Sequence, residues 1–580
     1  MSTIVTTTEQ QLRTAVANAV KAATAAGKLP EAELPSFAVE IPADRAHGDL
    51  AANVAMVSAR AFRMAPRAIA ETILAHLDLT DTYLLRAEVA GPGFLNFFLS
   101  PAFYAGAIQA VLDQKEQYGR SDFGGGKKIM VEFVSANPTG PMHMGNARGG
   151  ALGDGLAAVL DAAGYDVWRE FYVNDAGNQI EKFGLSLEVR YLQLFQGEEA
   201  VPLPEDAYHG EDIKEHAANF AKIHGDAFVN ADTEERRAAL VAYALPLNIE
   251  KMHRDMEKYR IVYDQWFMES TLHNEGAVKE TVDLLTAKGL TYEQDGAVWY
   301  KNKQVLTEQL LAQGKTQEEI DKLELKDDVL IRQNGHPTYF AADIAYHRNK
   351  FLRGFDTCID VWGADHHGHV ARMKGAMDSV GLNGEKLQVV LIQLVRLMQG
   401  GEVVRMSKRT GKAIQLADLL DEVPTDAARF FFNLREAGTR MDFDLDLAVE
   451  QSASNPVYYV QYAHARICSL VKNLAAEGVL ARDCTVEELS VLDTAEEKEL
   501  IRYVAAYPGE IVEAAKDYDP ARITRYATEL ATLFHKFYNS CRVKGEEEGV
   551  LQARLSLCRA VRITLRNALE LLKIEAPESM

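Results

Sequence analysis

The spacing of apolar positions divides the chain into three stretches of different character. Residues 8–28 carry an alanine-rich apolar stripe at helical spacing that ends near Gly27, which predicts a helix. Phe37–Ile41 reads as a strand, Gly48–Arg63 as a second helix, and Leu84–Leu99 as two strands turning at Gly91-Pro92-Gly93. Residues 1–115 are therefore expected to form a small α/β domain, closed by the glycine run Gly124–Gly126.

A different rhythm follows. Lys128–Val134 is a short apolar run of the kind that makes a buried strand. The loop Asn137-Pro138-Thr139-Gly140-Pro141 comes next, then a helical pattern from about Asn146 to Ala163 that stops at Gly164, then a strand at Val167–Val173. Strand, loop, helix, strand is the opening of a doubly wound, Rossmann-like α/β sheet. Residues 185–330 are more polar and helical and read as an insertion. The sheet pattern is expected to resume at Asp327–Arg332 and continue at Thr357–Trp362 and Leu387–Ile392. From Leu416 onward the periodicity is helical throughout. Leu555, Cys558, Val561, Leu565, Leu569 and Leu572 recur at three- and four-residue spacing, the buried face of one helix in an all-α bundle. The expected partition is 1–115, 116–415 with the insertion 185–330, a helical connector 416–454, and a bundle 455–580.

Composition narrows the class. The most apolar run, Val389–Met398, is broken by Gln393 and Arg396, so no membrane span is expected. Met1–Gln11 lacks a basic start and an apolar core, unlike a secretory signal. Five scattered cysteines with no CxxC pair suggest neither a disulfide framework nor a zinc site, and a reducing cytoplasm suits them. With 84 acidic and 62 basic residues the formal net charge is −22, which argues against a protein that coats nucleic acid nonspecifically.

Two segments carry candidate chemistry. Ser135–Asn146 lies where a strand passes into a helix, and helix N-terminal N–H groups favour phosphate. There His143 can donate to a phosphate oxygen, and Gly145 lets a flat ring approach the backbone. Gly400–Lys412 is a glycine-flanked loop, and Arg396–Lys412 holds five basic residues against one acidic. A mobile Lys408 there can hold triphosphate oxygens as charge develops. Alone, the first segment reads as well as a proline-rich turn and the second as a solvated basic hairpin. A third cluster, Gly363-Ala364-Asp365-His366-His367-Gly368-His369, follows a predicted strand. A metal site is not expected from it, because no distant ligand set is obvious.

Taken together, His143-Met144-Gly145-Asn146 and Met406-Ser407-Lys408 resemble the paired signatures of class I aminoacyl-tRNA synthetases. Val131–Pro141, Val173–Ile180, Tyr458–Arg466 and the closing Ala576–Met580 are similar to arginyl-tRNA synthetases in particular, as are Gly48-Asp49 and Gly91–Phe94. The resemblance implies ATP-dependent ligation of L-arginine to its tRNA through an arginyl-adenylate, with Mg2+ accompanying ATP and activation requiring bound tRNA. It implies that His143 and Lys408 act on the transferring phosphates, with Asn146 and Ser407 in support. Gly145, Gly363, Asp365, His366 and Met406 would bind ATP. Glu132, Asn137, Tyr339, Asp343 and His366 would hold arginine, whose planar five-donor cation needs carboxylates and hydroxyls as acceptors. Tyr339 and Asp343, four apart, share a face if their segment is helical. Two positions depart from the family pattern: Asn146 stands where histidine is usual, and His366 where many members carry glutamine. No protein-bound metal is expected.

RNA contact is expected at the C-terminal end. Residues 551–573 hold five basic residues against Glu570, and Arg559, Arg562 and Arg566 share a helix face opposite the apolar stripe. Tyr458, Tyr459 and Tyr462 can stack on unpaired bases, or equally can be packing residues. By resemblance this bundle reads the anticodon and the N-terminal domain meets the outer corner of the tRNA. A monomer is expected. The other functions that suit such a sheet are a small-molecule nucleotidyltransferase and a catalytically silent RNA-binding paralogue.

Overall fold

The computed structural model describes residues 3–404 and 414–580. The first helix, Ile4–Ala25, begins ahead of the apolar stripe because the Thr3 and Thr6 side chains form a reciprocal capping box. The predicted helix Gly48–Arg63 is a correction. Only Val54–Phe62 is helical, and Leu50–Ala52 is a strand paired antiparallel with Phe94–Leu99. Gly48 (φ 102°) turns the chain there, where an added Cβ would lie 2.8 Å from the Phe97 carbonyl oxygen. The strand predicted over Phe37–Ile41 shrinks to Val39–Glu40, and a further helix, Pro66–Ala75, completes the layer. The hairpin Leu84–Ala90/Phe94–Leu99 turns at Gly91–Gly93, as its glycines and proline required.

The central sheet has five parallel strands in the order Leu387–Ile392, Thr357–Gly363, Lys128–Glu132, Asp166–Val173, Gln265–Met268. Gln265–Met268 falls within the segment read as an insertion. The sheet therefore resumes earlier than expected, and four residues were too few to show a strand pattern. Conversely, Asp328–Ile331 does not rejoin the parallel sheet. It pairs antiparallel with Ala297–Tyr300 in a separate three-stranded sheet with Thr291–Gln294, because the nearby hairpin offers it an edge. Helices Asn178–Gln196, Glu211–His224 and Thr233–Lys258 build their own small core around Phe183, Tyr191 and Phe220.

Beyond the sheet, Val395–Gln399 and Glu402–Val404 form a hairpin over Gly400 and Gly401, both at positive φ. Met441–Asp444 runs parallel to Val395–Gln399, so the segment 416–454 is not purely helical as expected. The four helices Pro456–Ala476, Ala495–Asp517, Ala521–Ser540 and Glu548–Leu571 form the C-terminal bundle. Its stripe Leu555, Cys558, Val561, Leu565, Leu569 and Leu572 is buried, as its spacing predicted.

Two ionic contacts, one buried and one half-buried, lock these parts together. Arg429, fully buried, donates to Asp154 and to the carbonyls of Tyr259 (2.9 Å) and Leu572 (2.7 Å). Lys573 reaches the same Asp154 at 3.1 Å. Arg502 of the bundle pairs with Asp49 of the N-terminal layer at 2.9 Å. Among the described residues no helix is long and apolar enough to cross a membrane.

Candidate active site

The central strand Lys128–Glu132 ends in an unusual turn. Val134 (φ 72°) and Ser135 (φ 45°) both sit in the left-handed region, which a β-branched valine rarely enters. The turn is fixed by side chains: the Ser135 hydroxyl donates to Glu132 Oε1 (2.7 Å) and accepts from the Tyr172 N–H (3.2 Å). Such strain persists only where the surroundings over-determine it, and here it swings Asn137 over the end of the sheet.

The loop then delivers His143 to the N-terminus of helix Gly145–Ala162. His143 is exposed, and its Nδ1 accepts from the Gly145 N–H at 3.1 Å. With Nδ1 accepting, the neutral ring carries its proton on Nε2, the atom free to donate to an incoming oxygen. The helix packs tightly on the strand: a Cβ on Gly153 would lie 2.3 Å from the Phe133 ring. Arg148, in the first turns of the helix, is fully buried and donates to the carbonyls of Gln393 (2.8 Å) and Glu436 (2.9 Å). Burial lowers it to about 10.

The predicted residues Met406, Ser407 and Lys408 lie outside the described residues. The chain on their far side is well placed. Ile414 accepts from the Met144 N–H (3.1 Å), Leu416 donates to the Met142 carbonyl (2.9 Å), and Gln415 bridges antiparallel to His143.

A cavity of about 690 Å3 opens at the carboxyl ends of strands Lys128–Glu132 and Thr357–Gly363, where open α/β sheets place their ligands. Glu132, Asn137, Tyr339 and Asp343 line one part of it, and Gly363, Asp365 and His366 another. His143, Gly145 and Asn146 lie outside that lining, at the adjoining helix terminus. Tyr339 and Asp343 share a face of helix Tyr339–Leu352, whose start is capped by the Thr338 hydroxyl. Asp343 Oδ2 lies 3.3 Å from His369 Nε2. The first part of the cavity thus presents two carboxylates, an amide and a phenol, acceptors suited to a cation.

Several lining groups were not read from the sequence. Tyr172, Asn174, His347, Trp362 and Arg372 also face the cavity. The Tyr172 hydroxyl donates to Glu269 at 2.8 Å, and burial pushes the Glu269 carboxyl up. Behind the lining, Lys350 is fully buried, joined to Glu132 and, at 2.7 Å, to Asp360, which His347 also reaches at 2.7 Å. A solvated edge position for Glu132 is therefore excluded. Among the described residues no group of three or more His, Cys, Asp or Glu is placed to hold a metal ion.

Three family models tile the chain: the arginyl tRNA synthetase N terminal domain over residues 10–99, the catalytic domain of tRNA synthetases class I (R) over 107–470, and the DALR anticodon binding domain over 460–580. The arginine–tRNA ligase of Acetivibrio thermocellus is 52% identical over 581 residues, covering 100% of both chains. The chain belongs to the arginyl-tRNA synthetases. The arginine–tRNA ligase of Ruminiclostridium cellulolyticum is 53% identical, covering 98% of both chains. The fold is also that of the solved Thermus thermophilus arginyl-tRNA synthetase, with a TM-score of 0.70 at 21% identity over 98% of this chain and 100% of that one.

In this arginyl-tRNA synthetase the residues predicted to face RNA form two unlike groups. Tyr458 and Tyr462 lie one helical turn apart with ring planes 4° apart, and Tyr462 is 41% exposed. His535 packs on Tyr459 and Tyr462, and burial together with Arg466 holds it at about 4, so it is neutral. The arginine face is less open than its spacing suggested. Arg559 lies 3.6 Å from Asp483, Arg562 is half-buried, and Arg566 pairs with Glu570 at 2.7 Å.

Proposed function

We propose that this chain ligates L-arginine to its tRNA at the expense of ATP, through an arginyl-adenylate. The observation that carries this reading is the cavity where Glu132 and Asp343 lie beside the helix terminus that bears His143. An arginine whose guanidinium is accepted by Asp343, Glu132 and the Tyr339 hydroxyl, with Asn137 and His366 on its other end, turns its carboxylate toward that terminus. The carboxylate attacks the α-phosphorus of ATP and pyrophosphate leaves. The 2′-hydroxyl of the terminal adenosine then attacks the arginyl carbonyl and AMP leaves. No protein nucleophile is needed, so orientation and charge stabilisation supply the catalysis.

His143 Nε2 donates to the phosphates at the helix N-terminus, with Asn146 beside it as a neutral donor. Lys408, supported by Ser407 and Met406, meets the charge that develops on the leaving pyrophosphate. Gly145 admits the adenine, while Gly363 and Asp365 hold the ribose side. Mg2+ enters with ATP as part of the substrate. Residues 1–115 and 455–580 act as the tRNA-contacting parts, 116–415 as the catalytic part and 416–454 as the link. Tyr458, Tyr459 and Tyr462 stack on bases, and Arg559, Arg562 and Arg566 meet phosphate. One chain carries every element, which supports action as a monomer, and five free cysteines suit a reducing cytoplasm. The match over 460–580 favours an RNA substrate over a small-molecule nucleotidyltransferase. The test is ATP–pyrophosphate exchange with and without tRNA: arginine drives it, and exchange driven by another amino acid but not arginine overturns the substrate.

A further inference from the structure

The arginine cavity rests on a buried ionic cluster of which the proposed chemistry uses only Glu132. Lys350 lies on the same helix as Tyr339 and Asp343, about three turns past the first and two past the second, with its side chain wholly out of solvent. Its ammonium meets Glu132 on the central strand and Asp360 on the neighbouring strand, and stands 4.4 Å over the Tyr346 ring. The two carboxylates thus share one lysine. His347 completes the cluster, with Nε2 on Asp360 (2.7 Å) and Nδ1 on the Asp343 carbonyl (2.8 Å). Glu132 and His347 are the members that also line the cavity, and Glu132 is the one proposed to hold the substrate. Its Oε2 is taken by Lys350 and its Oε1 receives the Ser135 hydroxyl, so both oxygens are fixed in direction.

A buried carboxylate without a cation gives up its charge by taking a proton. Burial pushes Glu132 up, Lys350 pulls it back, and the Asp360 charge pushes it up again. Burial pulls Lys350 down, yet Asp360 and Glu132 outweigh that and hold it above its ordinary range. Removing Lys350 takes away the largest influence that keeps Glu132 charged.

We propose that Lys350 is a positioning residue of the arginine pocket: anchored by Asp360, its ammonium aims the Glu132 carboxylate into the cavity and keeps it an ionised acceptor for the substrate cation. This rests on the reading of the cavity as the arginine site. Lys350 touches no substrate, and its effect passes through Glu132. The other groups that face Glu132 are His347 and Tyr346 from the lysine's own helix, Asp360 and Tyr172 from the two flanking strands, and Tyr263 from the turn before Gln265–Met268. Burial holds all three tyrosines well above their ordinary range, so they stay neutral. A pH dependence in a Lys350 variant is then carried by the carboxylates and His347 of this cluster, not by the tyrosines.

The experiment is tRNA-supported ATP–pyrophosphate exchange by the full chain, with KM for arginine and for ATP measured from pH 6 to 9. K350M raises the arginine KM about tenfold or more while the ATP KM stays within about twofold, because a charged hydrogen bond to one substrate is lost. In K350M the arginine KM falls as pH rises and Glu132 recovers its charge, whereas the wild-type value stays flat. K350R restores it. Should K350M not fold, the double variant K350Q/D360N removes one cation with one anion, and the same rise is expected of it. Equal rises in both KM values, an arginine KM that tracks the wild type across pH, or a double variant with unchanged arginine KM overturns the proposal. The variant E132Q separates the two levels. An unimpaired E132Q sinks the arginine-site reading itself, while an impaired E132Q beside unimpaired Lys350 variants sinks this inference alone.

Discussion

His143 and Gln415 are paired as an antiparallel bridge, flanked by hydrogen bonds from Met144 to Ile414 and from Leu416 to Met142. The described chain just past the Lys408 segment is therefore tied by one backbone ladder to His143, the residue proposed to reach the phosphates. His143→Ala tests the phosphate role directly. The side chain is exposed, so the thermal midpoint stays where it was. Arginine-dependent exchange falls about 100- to 1,000-fold in kcat, the usual cost of losing one transition-state donor. An unchanged kcat would remove His143 from the mechanism.

Lys408→Ala is expected to lower kcat by a similar order, about 100-fold, with little change in the arginine KM, because its charge is proposed to serve the leaving pyrophosphate rather than the bound amino acid. Steady-state exchange reports both constants.

Asp343→Asn replaces the carboxylate beside His369 with an amide that cannot pair with a cation. The arginine KM rises about tenfold or more while the ATP KM holds, as for loss of a charged hydrogen bond. A matched rise in both would mean that the helix, not the pocket, was damaged.

Asp154 makes the acid stability of the molecule predictable. Burial alone would raise it, but Arg429, Lys573 and Arg169 outweigh burial and hold it below the ordinary carboxylate range. A group lowered in the folded state stabilises fully above its unfolded value of about 4, and that contribution disappears as pH falls toward its folded value. Asp154→Asn leaves Arg429 buried without its counter-charge, so it costs about 3–5 kcal/mol at neutral pH in urea unfolding. Its deficit relative to wild type shrinks below pH 4. A deficit independent of pH would contradict the ionic account.

Much of the fold around this site could be read from residue order, and the part that could not has physical causes. Periodicity located the bundle because helix Glu548–Leu571 buries a continuous stripe. It located the strand and helix around His143 for the same reason: both are buried elements of ordinary length. It failed at Gln265–Met268 and Met441–Asp444, four-residue strands that take their conformation from pairing with neighbours rather than from their own pattern. It failed at Gly48–Arg63, where pairing to Phe94–Leu99 won over local helical preference. Glu132 and Asp343 were expected to hold arginine only through the family resemblance, since residue order alone did not single them out. Lys350 and Asp360 were not, because their meaning lies in a contact between a helix and two strands that no linear spacing encodes.

Charge follows the same distinction between chain and surface. The net charge is −22, and Arg559 and Arg566 already have acidic neighbours. tRNA binding should therefore lose affinity with salt only as if about five or fewer phosphates were neutralised. Filter binding across a salt series reads this slope, and a much steeper one would show a broad phosphate-coating surface instead.

The most direct measurement is aminoacylation of total tRNA by the full chain with ATP, Mg2+ and each amino acid in turn. Arginine alone should be attached, and only to arginine-accepting tRNA. Charging with another amino acid, or adenylate formation that never reaches tRNA, would contradict the assignment of the Glu132–Asp343 cavity to arginine.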